Sequence, residues 1–230
     1  MTNPASVAAL PAQLAPALLP ILDVIGLAVF ALSGALAAAR AKQTLVTFAF
    51  FAVATGVGGG TVRDLLIGAP VFWVQASWVP LLCLAMAVLV WVTPQHWWEN
   101  DKGETKALDW ADAVGLAAYA VFGTAKALAY KVDPLPAAMM GVITACVGGV
   151  IRDVLAHQPS IIIRPELYVT AAALAAGAFV ILLMAGASFW LAAVVAVVSG
   201  FTLRALAITK GVSLPSYRGG KSPPEDQAGS

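Results

Sequence analysis

Apolar residues collect along the chain in seven long blocks, over 19–39, 45–73, 78–93, 110–130, 135–155, 166–185 and 189–208. A helix that crosses a bilayer needs about 20 predominantly apolar residues, so each block predicts one membrane span, and little chain is left between them. Polar residues break into the second block. There "TGVGGGTVRD", residues 55–64, sets four glycines, an arginine and an aspartate directly after "TLVTFAFFAVA".

That interruption recurs. "GGTVRDLLIGAP" at 59–70 returns as "GGVIRDVLAHQP" at 148–159, and "DVIGLAVFALSGAL" at 23–36 returns as "DAVGLAAYAVFGTA" at 112–125. One separation of 89 residues, Arg63 to Arg152, relates every matched position without a gap. Two units of three spans and a seventh helix follow. An odd number of spans inverts the second unit, giving a pseudo-two-fold axis in the membrane plane. The predicted fold is an all-α membrane protein, seven transmembrane helices arranged as an inverted 3+3 repeat plus a C-terminal helix. Its parts are an N-terminal segment at 1–18, a first repeat at 19–93, a loop at 94–107, a second repeat at 108–185, a seventh helix at 189–209 and a flexible tail at 213–230.

Composition agrees with lipid as the solvent: 60% of residues are hydrophobic and 11% charged, against about 25% charged in soluble domains. The net charge of +1 offers nothing to nucleic acid. Placement of the charges says more. With the N-terminus outside, the inside segments hold Arg40, Lys42, Lys102, Lys106, Arg164, Lys210, Arg218 and Lys221, and the outside loops only Lys131. Basic residues favour the cytoplasmic side, which sets N-out, C-in and an odd number of spans. The first twenty residues carry no Lys or Arg, so no signal peptide is expected.

Glycine lacks a side chain and tolerates non-helical dihedrals, so Gly58, Gly59 and Gly60 and their counterparts Gly148 and Gly149 are expected to bend their helices and expose carbonyl groups. Such groups are tolerated only inside protein or along a wet cavity, and matched interruptions point to a binding or permeation site near the midplane. Close packing of helices is the plainer alternative. Arg63, Asp64, Arg152 and Asp153 follow the glycines, and charge inside a membrane sits in bundle interiors, paired or functional. Ion pairs between repeats, Arg63 with Asp153 or Asp64 with Arg152, stand beside direct contact with a permeant ion. Lys126 and Arg204 near span ends fit snorkelling, with an outer vestibule as a second role for Lys126. Asp23 and Asp112 either favour helix N-termini or meet the other repeat's charges. Cys83 and Cys146 form no ligand spacing, His96 and His157 stand alone, and the glycine run lacks the ending of a phosphate loop, so no metal, no cofactor and no enzyme activity are expected.

The two glycine-plus-Arg-Asp motifs at a fixed separation, within seven inverted-repeat spans, resemble the prokaryotic branch of the TRIC family, the trimeric intracellular cation channels, also labelled UPF0126 or glycine-transporter-like. The resemblance covers about 19–209. It implies a homotrimer among membrane lipids, in a bacterial inner membrane, with an ion path in each protomer bounded by the second and fifth helices. The implied permeant ion is potassium, with sodium as a second candidate. It carries Gly58, Gly59 and Gly60 to the first hinge and Gly148 and Gly149 to the second, where Val147 replaces the third glycine. A secondary transporter of a small zwitterion such as glycine is the alternative, since inverted repeats suit it equally.

Overall fold

The computed structural model describes residues 18–98, 106–158 and 167–213. The N-terminal segment up to residue 17, residues 99–105 of the expected loop and the tail past Ser213 lie outside the described residues, as do Lys102, Arg164, Arg218 and Lys221. Among the described residues the seven α-helices are α1 (Leu18–Arg40), α2 (Leu45–Leu66), α3 (Trp78–Val92), α4 (Lys106–Ala129), α5 (Pro134–Leu155), α6 (Val169–Met184) and α7 (Phe189–Lys210). Helices α1, α2, α5 and α7 are each long and apolar enough to cross a bilayer. At 15 and 16 residues α3 and α6 are shorter, and α4 carries Asp109, Asp112 and Lys126 along its 24 residues. Two boundaries differ from expectation. The second span ends at Leu66 and the chain turns back through a 3₁₀ turn at Phe72–Val74, and α4 starts at Lys106, inside the expected loop.

The repeat governs even the turns. Lys42 and Lys131, 89 residues apart, both take left-handed φ, 50° and 62°, and so do Gly68 and His157, 67° and 51°. Each follows a helix and closes it with a paired carbonyl cap: Gln43 N–H reaches Ala38 O (3.1 Å), Val132 reaches Ala127 (3.1 Å), Ala69 reaches Asp64 (2.8 Å) and Gln158 reaches Asp153 (2.9 Å). Such caps satisfy carbonyls that the helix leaves free. Short reversals then lay α1 against α2 and α4 against α5 as antiparallel neighbours.

Across the two units α1 packs on α4 and α2 on α5. Phe30 and Tyr119, again 89 apart, stack with centroids 5.4 Å apart and ring planes at 28°. Each ring covers a glycine of the opposite unit, Tyr119 over Gly26 and Phe30 over Gly115. A pseudo-two-fold axis therefore runs between the rings. The third helix of each unit closes the flank, α3 on α1 and α2, α6 on α4 and α5, and α7 lies outside the repeat against α4 and α6.

Candidate functional site

Helices α2 and α5 meet at their glycine clusters. A β-carbon at Gly148 would stand 2.6 Å from the Thr55 carbonyl oxygen, and one at Gly59 would strike the Thr144 carbonyl. Gly59 and Gly148 are counterparts, and so are Thr55 and Thr144. The contact is thus reciprocal, backbone on backbone, and both threonines are buried at 1% exposure. This corrects the expectation of interrupted helices: α2 is helical throughout Leu45–Leu66 and α5 throughout Pro134–Leu155. The absent side chains let the helices approach while their own hydrogen bonds stay intact. Around the crossing Gly58 faces the Ile151 side chain, Gly60 the Phe72 ring, and Gly149 the Tyr168 hydroxyl and Asp112. Thr144 Oγ1 donates to Met140 O at 2.6 Å, whereas Thr55 Oγ1 is buried without a hydrogen-bond partner.

A charged cluster lies on each side of the crossing. In the first, Asp64 Oδ1 accepts Nε and Nη2 of Arg63 at 2.9 and 2.7 Å, and pairs with Lys126 Nζ at 2.9 Å. Its Oδ2 accepts the Phe72 backbone N–H at 3.0 Å. Aromatic faces wall the cations in: the Arg63 guanidinium carbon is 5.1 Å from the Phe122 centroid and Lys126 Nζ 5.7 Å from that of Phe72. Trp73 Nε1 donates to Thr61 Oγ1 at 3.0 Å and fastens the turn to α2. In the second cluster, Arg152 Nη1 donates to Asp112 Oδ1 and Ser33 Oγ, both at 2.6 Å, and Nε donates to Asp153 Oδ1 at 2.9 Å.

Asp112 and Lys126 stand fourteen residues apart on α4, so the clusters are separated by about 21 Å along that helix. They occupy opposite ends of the crossing, as inversion requires. The cross pairs Arg63 with Asp153 and Asp64 with Arg152 are out of reach, and each arginine takes the aspartate beside it. The units are linked instead by Lys126 on Asp64 and by Arg152 on Ser33. Arg63 and Arg152 are 1% and 2% exposed: the charges face the bundle and not lipid, because desolvated ions are stable only when paired and hydrogen-bonded.

Two side chains depart from snorkelling. Lys126 keeps 20% of its side chain exposed and is held by Asp64. Arg204 is fully buried and lies over the Tyr168 ring, 5.3 Å from its centroid. Asp112 meets Arg152 of its own repeat. Phe72 and Tyr168, which touch the glycines, belong to no motif in the sequence; Tyr168 is also off the 89-residue register, whose counterpart to Phe72 is position 161. At the Arg152 end a cavity of about 250 Å³ opens among Ala37, Arg40, Asp109, Arg152, Asp153 and Gln158.

The chain matches the family model described as Glycine transporter over residues 20–95 and 109–185, one match per repeat. It is 38% identical over 206 residues to a UPF0126 membrane protein of Vibrio cholerae, covering 87% of this chain and 83% of that protein. To the UPF0126 inner membrane protein YadS of Escherichia coli it is 40% identical over 151 residues, 65% of this chain and 72% of that one. Among solved structures it resembles the TRIC trimeric intracellular cation channel orthologue from Rhodobacter sphaeroides, with a TM-score of 0.77, 39% identity, and coverage of 84% of this chain and 98% of that one.

Proposed function

The chain belongs to the TRIC family of membrane proteins, which embraces the UPF0126 proteins and the Glycine transporter family model, and from that membership we propose that it is a monovalent cation channel permeable to potassium. Each protomer of a homotrimer carries its own path, bounded by α2 and α5. The N-terminus lies outside and the C-terminus in the cytoplasm of a bacterial inner membrane.

One observation carries the reading: a reciprocal glycine and threonine crossing, buried at the centre, with a charged cluster at each end. A cation entering at the Arg152 end meets the carboxylates of Asp109, Asp112 and Asp153 against the guanidinium groups of Arg40 and Arg152, with Arg204 behind them on Tyr168. At the other end Asp64 and Asp23, whose carboxylate accepts the Tyr119 hydroxyl of the other repeat at 3.5 Å, face Arg63 and Lys126. Carboxylates match the cations at each end, so neither end is net positive despite its arginines and cations are admitted. Between them Thr55 Oγ1 and the Thr55 and Thr144 carbonyls offer oxygen dipoles of the kind that replace an ion's hydration shell. The crossing is closed by van der Waals contact, and conduction needs α2 and α5 to part at Gly58, Gly59, Gly60, Gly148 and Gly149. Glycine suits this, having the least steric restraint on bending. Lys126 stands at the rim, where its charge tunes entry. The family model's description supports a second reading, carriage of a small zwitterion such as glycine, whose carboxylate and amine suit the same clusters.

Proteoliposomes separate the two. Potassium efflux that rises linearly with gradient, without saturation, is expected; saturable uptake of labelled glycine by vesicles that retain potassium would replace the channel by the carrier.

A further inference from the structure

Each end of the crossing finishes on one aromatic ring. At the Lys126 end the edge of the Phe72 ring lies 2.6 Å from where a β-carbon of Gly60 would stand. That ring carries two cations, Lys126 at 5.7 Å and Arg63 at 5.9 Å. At the other end the counterpart of Gly60 is Gly149, and the Tyr168 hydroxyl lies 2.6 Å from its β-carbon position. The Tyr168 ring carries a cation as well, but one from α7, Arg204. The repeat has none to give: the counterpart of Lys126 in the first unit is Ala37. A helix outside the repeat fills the place.

We infer that Arg204 is a positioning residue for conduction, holding Tyr168 against Gly149 so that α5 stays straight at Gly148 and Gly149 and the Arg152 end stays closed. The inference rests on the α2 and α5 path proposed above. The tyrosine hydroxyl is buried and faces the Asp112 carboxylate, which fixes the tip of the side chain. Packing and the guanidinium hold the face of the ring. Arg204 is fully buried, and a cation over an aromatic face is strongest where water is absent. Bending of α5 at Gly149 on that face drives the helix into the hydroxyl. Arg204 therefore sets the resistance of α5 to bending, from a helix that belongs to neither repeat.

The test compares the full-length wild type with Arg204→Met, Arg204→Lys and Tyr168→Leu by hydrogen exchange in detergent and by single-channel recording. Arg204→Met and Tyr168→Leu are expected to speed amide exchange over residues 145–153 by on the order of tenfold. Both also raise open probability. Arg204→Lys keeps the cation and stays within about twofold of wild type. Unchanged exchange over 145–153 in both charge- and ring-deleting variants overturns the inference, and so does a rise spread evenly over all helices, which marks a merely structural role. A wild type that conducts while Arg204→Met gates normally also overturns it and leaves the channel reading intact. Local exchange effects in a protein that never conducts refute the channel reading and leave the hold of Arg204 on α5 standing.

Discussion

Adding one methyl group at Gly148 tests the crossing itself. The new β-carbon would stand 2.6 Å from the Thr55 carbonyl oxygen, where ordinary contact begins at 3.4 Å. The obstacle is backbone in the middle of a helix and cannot swing aside, so α2 and α5 must part by about 0.8 Å. Overpacking of this kind costs about 1–3 kcal/mol. Gly177 on α6 is the control, because nothing lies within 4 Å of its β-carbon position. There alanine gains about 0.5–1 kcal/mol of helix preference. In thermal melts of the detergent-purified protein, Gly148→Ala is expected about 2–12 °C below Gly177→Ala, at about 2–4 °C per kcal/mol for a chain this long. Gly59→Ala should lose at least as much as Gly148→Ala, since its β-carbon would strike the Thr144 carbonyl still more closely. The double variant should lose less than the sum, because one separation relieves both contacts. Equal melting of Gly148→Ala and Gly177→Ala, or strict additivity of the pair, would refute the reciprocal contact.

Other consequences follow from the charged clusters. Asp64→Asn removes the carboxylate that serves Arg63, Lys126 and the Phe72 N–H, and should cost about 3–5 kcal/mol in denaturation while shifting reversal potentials in asymmetric KCl toward zero. Lys126→Met leaves Asp64 paired with Arg63, and its partly exposed ammonium makes the loss nearer 1 kcal/mol in the same denaturation. Asp112→Asn and Ser33→Ala, which share the Arg152 guanidinium from different repeats, should couple by about 0.5–3 kcal/mol in a double-mutant cycle. Cys83 and Cys146 are both buried, so a water-soluble maleimide is expected to label them only after denaturation, as counted by mass spectrometry.

The repeat made most of the fold legible, because a fixed separation of 89 residues survives in helices, turns and contacts alike. It also placed Arg63 and Arg152 at opposite ends of the crossing and turned them away from lipid. What Gly59 and Gly148 do was not legible. A missing side chain leaves a gap that bending or a neighbour's backbone can fill, and only the partner helix decides between them. The ion pairs were misread for a related reason. Adjacent residues on a helix do not face each other, which argues for distant partners, yet the long arginine side chain reaches around the last turn to the aspartate beside it. Position near a span end suggested snorkelling for Arg204, but α7 packs against α4 and α6 and buries that face. Tyr168 escaped notice because it comes from a segment where the two repeats no longer correspond.

Whether the crossing of α2 and α5 opens to a cation path is decided by recording the purified protein in a planar bilayer under asymmetric KCl. Resolved unitary currents that reverse toward the potassium equilibrium potential are the predicted result. Bilayers that stay silent with protein shown to be inserted, or currents that reverse toward the chloride potential, would contradict it.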